Sequence, residues 1–355
     1  MRMMTSKLTG FKIPAEWEPQ KSIWIAWPYN KNDWPELFSF IPHVVAKIVK
    51  IISENQKVDL LIDKNKHQVL NILKNYKAKL SNINFHKIKT DRIWLRDSGP
   101  IFVINKRIKK KLILDFKFNA WSKYYNFNRD NQINKKISKI IKVKRIEPKI
   151  SFGKNIRSIV MEGGAFDTNG KGSLLLTEEC LLSKVQERNN GFKKKDYENI
   201  FSKYLGINNF IWLKKGISGD DTHGHIDDIA RFVDKNTIMI AVEKNKKDAN
   251  FKNLKLNLTI LSRSRNNNRE KFQIIKVPMP SPVFIKKKRV PASYLNFLIT
   301  NKKVLLPIFN VKEDKKVIKI FRNFFKNKKI IPIDCSKLIW GFGAIHCMTQ
   351  QEPKF

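Results

Sequence analysis

Short β-rich runs alternate with helical apolar patterns along all 355 residues, and no Ser/Gly linker or low-complexity tract interrupts them. Such a chain must layer helices on sheets, so it is α/β or α+β, and the missing boundary favours one domain over residues 1–355. Ile23 to Trp27, Val58 to Ile62, Leu112 to Phe118, Ile156 to Val160, Phe210 to Leu213, Thr237 to Val242 and Val304 to Phe309 read as strands. Val44, Val45, Ile48, Ile51 and Ile52 share one helical face, and residues 193–205 and 315–326 show comparable periodicity. Similarity between successive units is too weak to demonstrate a repeat.

The formal charge is +40, from 71 basic and 31 acidic residues, which raises a nucleic-acid reading. Only 14 of the 71 are arginine, however, and the lysines spread through every region instead of clustering, so no specific nucleic-acid site is evident. A lysine-heavy solvated surface is the plainer reading of the charge, and a lysine-rich nucleic-acid-binding protein is the alternative outside enzymes. Cys180, Cys335 and Cys347 lack CxxC pairing and zinc-site spacing, which fits a reduced cytoplasmic setting. Met1 to Pro14 carries no apolar run, so neither a signal peptide nor a membrane anchor is expected. No stretch approaches the ~18 apolar residues of a transmembrane helix.

Glycine is scarce, 14 in the chain, yet nine fall in four short segments. These are Trp94 to Pro100, Met161 to Gly164 with Asn169 to Gly172, Gly219 to Asp228, and Gly341 to Cys347. Glycine is kept where the backbone needs positive φ or a close approach, and the same segments hold histidines, carboxylates and a cysteine. One assembled active site is the expectation.

Within it, Cys347 follows a glycine pair and precedes a polar tail, so it is a candidate thiolate nucleophile as well as a candidate small buried residue. Cys180, followed by Leu181-Leu182, and Cys335, framed by no glycine turn, are weaker candidates. His225 and Asp227, two residues apart, face the same way if the backbone there is an extended strand. His223 rivals His225 as the base, and a His223, His225, Asp227 metal set is a further alternative. Asp97 precedes a Ser-Gly-Pro turn and is placed at a strand end, where it either binds a cation or pairs with Arg96. Glu162, before two glycines, is similarly open. Between Ser218 and Asp234 stand five aspartates against one arginine, in a chain of opposite overall sign. That region is suited to a guanidine or amine.

In this order the four segments resemble the agmatine deiminase family, within the peptidylarginine-deiminase-like, guanidino-group-modifying superfamily. The resemblance covers nearly the whole chain, from Phe11 to Pro19 and Trp24 to Pro28 through His346 to Pro353. It implies an α/β fold, a pseudo-fivefold propeller of ββαβ units around a central site. It also implies hydrolysis of agmatine to N-carbamoylputrescine and ammonia without metal or organic cofactor. Carried over, Cys347 looks like the nucleophile, His225 the general acid and base, Asp97 and Asp227 the guanidinium-binding carboxylates, and Glu162 an orienting glutamate, with Trp94 beside the substrate. Free arginine or peptidyl-arginine remains an alternative substrate, because all three present the same head. The expected partner is the small guanidine, with no nucleic acid or membrane and a homo-oligomer as a weak expectation. The turn departs from the family pattern at Phe342 and Ala344, where glycine and asparagine are usual.

Overall fold

The computed structural model describes residues 8–355, so the reading of Met1 to Pro14 lies partly outside the described residues. Five times the chain lays down an antiparallel pair, crosses through a helix, and adds a third strand parallel to the second. In one unit Ile101–Asn105 pairs with Lys110–Leu114, and the helix Ile133–Ile141 leads to Arg145–Ile146. In the next, Phe166–Thr168 pairs with Ser173–Thr177, and Lys194–Leu205 leads to Asn209–Leu213. Then Ala230–Asp234 and Thr237–Val242 are followed by Phe251–Arg263 and Gln273–Pro278. Leu298–Ile299 and Lys303–Ile308 are followed by Glu313–Phe324 and Lys329–Asp334. The remaining unit is split across the termini. Thr349–Pro353 pairs antiparallel with Gln20–Ala26, which runs parallel to Lys57–Ile62 across the helix Ile41–Ser53, with Ile83–Lys87 added outside. This is a pseudo-fivefold α/β propeller of ββαβ units, closed by its last strand.

The elements follow from their sequences. The second strand of each unit is covered on both faces and reads as a nearly continuous apolar run, as in Thr237–Val242. The crossover helices are one-sided: Ile41–Ser53 buries Ile41, Val45, Ile48, Val49 and Ile52 against its sheet. Helix Lys194–Leu205 ends at Gly206, whose φ of +71° closes the last turn in the left-handed region. Among the described residues no helix is long and apolar enough to cross a membrane.

Most expected strands recur within a few residues. Two differ. The run from Leu112 leaves the sheet after Leu114, and Ile156 to Val160 falls largely in an exposed hairpin, Lys149–Phe152 with Asn155–Ser158, outside the five sheets. Its Ile156 is exposed, so an apolar run there marks no core strand.

Candidate active site

The fold positions the chemistry through one repeated location. Asp97, Glu162, Asp227, Asn296 and Cys347 each lie two to four residues before the first strand of their unit, at Ile101, Phe166, Ala230, Leu298 and Thr349. First strands of different units meet, Thr349–Pro353 against Ile101–Asn105 and Phe166–Thr168 against Ala230–Asp234. Five loops are thereby delivered to one centre.

There a cavity of about 320 Å³ is walled by Trp94, Asp97, Trp121, Gly343 and Cys347, with Asp33, Arg92, Tyr124, Asp221 and Phe342 also along it. Cys347 is 4% exposed. Its Sγ lies 3.0 Å from Asn296 Nδ2 and 3.7 Å from Asp227 Oδ2. Burial, reinforced by Asp227, Asp228 and Asp97, pushes this thiol well above its ordinary range, so among these neighbours it is neutral. Asn296 Oδ1 also accepts the backbone N–H groups of His346 and Cys347, at 3.0 and 3.2 Å, and so clamps the turn that carries the sulfur. Gly343 is required here: a Cβ would stand 2.7 Å from the Trp94 ring and 3.1 Å from Cys347 Cβ.

Asp97 and Asp227 are two buried carboxylates of this locality. Asp97 Oδ1 accepts Gly164 N–H and Oδ2 accepts the Trp121 indole N–H, both at 3.0 Å. Burial lifts its pKa to about 6 against the pull of His225. Asp227 Oδ2 is bonded to His346 Nδ1 at 2.7 Å, whereas its Oδ1 is buried without a partner. Burial alone would raise Asp227, but His346 together with His225 and Arg231 outweighs it and holds the carboxyl below its usual range. His346 Nε2 in turn meets Glu16 Oε2 at 2.8 Å, and Arg231 Nη2 donates to the same oxygen at 2.6 Å.

His225 is fully buried behind the cavity wall. Its Nδ1 is 3.8 Å from Asp97 Oδ1 and its Nε2 is 3.5 Å from Glu162 Oε2. Burial disfavours the charged ring, yet Asp97, Cys180 and Glu162 raise its pKa well above 6.5. Glu162 is kept ionised by Arg188, whose Nε lies 3.1 and 3.3 Å from its two oxygens. Gly164 makes this approach feasible, since a Cβ there would stand 2.5 Å from His225 Nδ1.

All six expected residues, Trp94, Asp97, Glu162, His225, Asp227 and Cys347, are thus brought to one locality. The local backbone differs from expectation in two places. Asp97 sits in a helical turn, Leu95–Ser98, and is bonded to Trp121 and Gly164. His225 and Asp227 flank and enter a 3-10 turn, Ile226–Asp228, because Asp220 Oδ2 gathers the Gly224 and His225 N–H groups into a compact loop that an extended strand would break. His223 points elsewhere, to Ser183 Oγ at 2.8 Å, so His223, His225 and Asp227 do not converge on one point. Asn296, Glu16 and His346 were not singled out from sequence. Asn296 lies in a stretch, residues 290–301, without glycine, cysteine, histidine or carboxylate, and His346 is marked only by adjacency to Cys347.

The family model for Porphyromonas-type peptidyl-arginine deiminases matches residues 12–353, and the chain belongs to this family. The agmatine deiminase of Pseudomonas syringae pv. tomato is 29% identical over 98% of this chain and 97% of its own length. Among solved structures, a C. jejuni agmatine deiminase with a cysteine-to-serine change and substrate bound is 30% identical, with a TM-score of 0.85 over 97% of this chain and 96% of its own. The agmatine deiminase of Enterococcus faecalis, described as catalysing its reaction, is 27% identical, with a TM-score of 0.87 over 99% of both chains.

Proposed function

We propose that this protein is an agmatine deiminase: it hydrolyses agmatine to N-carbamoylputrescine and ammonia through a covalent intermediate on Cys347, with the propeller acting as one cytoplasmic catalytic domain. The observation that carries the reading is the unpartnered, buried Oδ1 of Asp227, a carboxylate whose other oxygen lies 3.7 Å from the Cys347 sulfur. A buried carboxylate oxygen without a donor is costly, and a guanidinium satisfies two such acceptors at once with charged hydrogen bonds of roughly 1.5 to 3 kcal/mol each.

Asp97 and Asp227 hold the planar head with its carbon before Cys347 Sγ. The substrate's positive charge offsets the carboxylates that keep the thiol neutral, and ionisation accompanies binding. The sulfur attacks the guanidinium carbon, and His225 gives a proton to the departing nitrogen, so an S–C bond forms, a C–N bond breaks and ammonia leaves. Neutral His225 then takes a proton from water as the oxygen adds to the thiouronium carbon, the C–S bond breaks, and the thiolate and a ureido product are restored. Glu162 keeps the imidazole oriented between the two halves.

The far end of the cavity favours agmatine over arginine. Its lining cation is engaged, Arg92 donating to Asn126 O and Oδ1 at 2.8 and 2.7 Å, and Lys123 outside the lining is paired with Asp221. Asp33 Oδ2, by contrast, is buried without a partner, an acceptor suited to an ammonium group. The deciding assay is ammonia release from agmatine, arginine and a blocked arginyl peptide, by wild type and Cys347→Ala in chelator-treated buffer. Release from agmatine, abolished in the variant, is expected. Preference for arginine would change the substrate, and an active Cys347→Ala would overturn the mechanism.

A further inference from the structure

Behind His225 stands Cys180, a buried thiol that the proposed reaction does not use. One ligand atom each from Glu162, Cys180 and His225 lies within 4.8 Å of the others, and all three residues are fully buried. Cys180 is held there by a short helix, Glu178–Leu182, whose N-terminal Thr177 hydroxyl accepts the Cys180 N–H at 3.2 Å. Neither ring nitrogen of His225 makes a hydrogen bond of good geometry: Nε2 stands 3.5 Å from Glu162 Oε2, a long contact on the side where Cys180 also lies.

We propose that Cys180, His225 and Glu162 form an inhibitory site for a borderline-soft divalent ion of the zinc class, which stops turnover by withdrawing His225 from proton transfer. One sulfur, one nitrogen and one oxygen donor are what such an ion accepts, and three protein ligands leave its fourth position for water. Tetrahedral bonding at ~2.0–2.3 Å requires the donors to draw together by about an ångström, within reach of side-chain rotation. Arg188 Nε reaches both Glu162 oxygens, at 3.1 and 3.3 Å, so the ion shares the carboxylate with the guanidinium and takes Oε2 on its His225 side. The ion enters through the substrate cavity, whose wall residue Asp97 faces His225 Nδ1 at 3.8 Å. Cys347, Asp97 and Asp227 are untouched, so substrate still binds while its nitrogen cannot be protonated.

Two arms test this. In the first, which is independent of the deiminase reading, Cd²⁺ is titrated into Cys347→Ala and into Cys347→Ala/Cys180→Ser, following sulfur-to-metal absorption in the ultraviolet. A saturable band in the single variant that disappears in the double variant is expected; no band in the single variant, or a band that persists in the double, overturns the site. Anomalous scattering from wild-type crystals soaked in Zn²⁺ locates the ion without any variant, and a peak on Cys347 instead of the Cys180 cluster also overturns it. The second arm rests on the deiminase reading. Zn²⁺ is expected to lower kcat for agmatine with KM within about twofold, reversibly by chelator, and Cys180→Ser should need at least tenfold more ion. Inhibition that instead raises KM, or that is equal in Cys180→Ser, refutes the mechanism.

Discussion

Two buried histidines, each bracketed by two carboxylates, belong to the Cys347 site, and their geometry divides them. His346 is bonded tightly at both nitrogens, to Asp227 at 2.7 Å and Glu16 at 2.8 Å, within a network that includes Arg231. His225 has the same kind of neighbours at 3.8 and 3.5 Å and no well-formed hydrogen bond. A ring held at both ends fixes its neighbours, which is what Asp227 needs if one oxygen is to be aimed at the substrate. A ring charged by its surroundings but bonded to nothing has a proton it can deliver. Similar composition thus yields one positioning residue and one acid–base residue, and hydrogen-bond length separates them.

The sharpest test of that division exchanges the two. His225→Asn should lower kcat by about 10² to 10⁴, with a stability cost that comes only from its long ion pairs with Asp97 and Glu162, since no close hydrogen bond is lost. His346→Asn should show the reverse balance: a loss of about 1 to 3 kcal/mol in denaturant unfolding, from leaving Asp227 and Glu16 short of a donor, with the rate falling less. Single-turnover ammonia release beside urea titration reads both. If His346→Asn costs more in kcat than His225→Asn, the assignment is reversed.

A smaller effect is expected from Gly164→Ala, which probes whether the looseness around His225 is itself required. The new methyl would press on His225 Nδ1 and on Asp97 Oδ1, at 2.5 and 2.8 Å before relaxation. Overpacking of this kind costs about 1 to 3 kcal/mol. The expected result is a kcat loss that exceeds the stability loss, because the strain falls on the acid–base pair. Unchanged kcat in a folded variant would show that His225 tolerates displacement and that its spacing is incidental.

The legible part of this site was its glycines. Gly164 and Gly343 sit where a Cβ would strike His225, Asp97 or Trp94, so scarcity of glycine elsewhere made their segments conspicuous. The fivefold plan was hidden for the opposite reason. Each unit meets the same geometric demand with a different residue before its first strand, Asp97, Glu162, Asp227, Asn296 or Cys347, so equivalence lies in topology and leaves no repeated letters. Asn296 escaped notice because an amide clamp carries no charge or glycine to announce it. The turn at His225 misled because the HxD spacing is compatible with a strand, and only the bonds from Asp220 select the compact loop. Phe342 marks a further departure: it adopts φ +64°, the left-handed region where the family's usual glycine would rest without strain.

The mildest and most selective effect should come from the far end of the cavity, where Asp33 extends the contrast from proton transfer to substrate choice. Like Asp227, it holds one oxygen bonded, Oδ1 to Asn30 Nδ2 at 2.9 Å, and one buried and free. Burial, only partly offset by Arg92, lifts its pKa to about 6. A bound ammonium favours the charged form, so affinity is full when Asp33 is ionised, above pH 6, and declines as pH falls through that value. Asp33→Asn should therefore raise KM for agmatine about tenfold at neutral pH, the equivalent of one charged hydrogen bond at its lower limit, while leaving kcat nearly unchanged. It should also remove the part of the KM rise on acidification that agmatine shows and an alkylguanidine without the amine does not. Asp97 titrates in the same range and acts on both guanidines alike, so the ratio of the two KM values against pH isolates Asp33. A ratio that is flat in wild type would place the ammonium elsewhere, and Asp221 would be the next carboxylate to change.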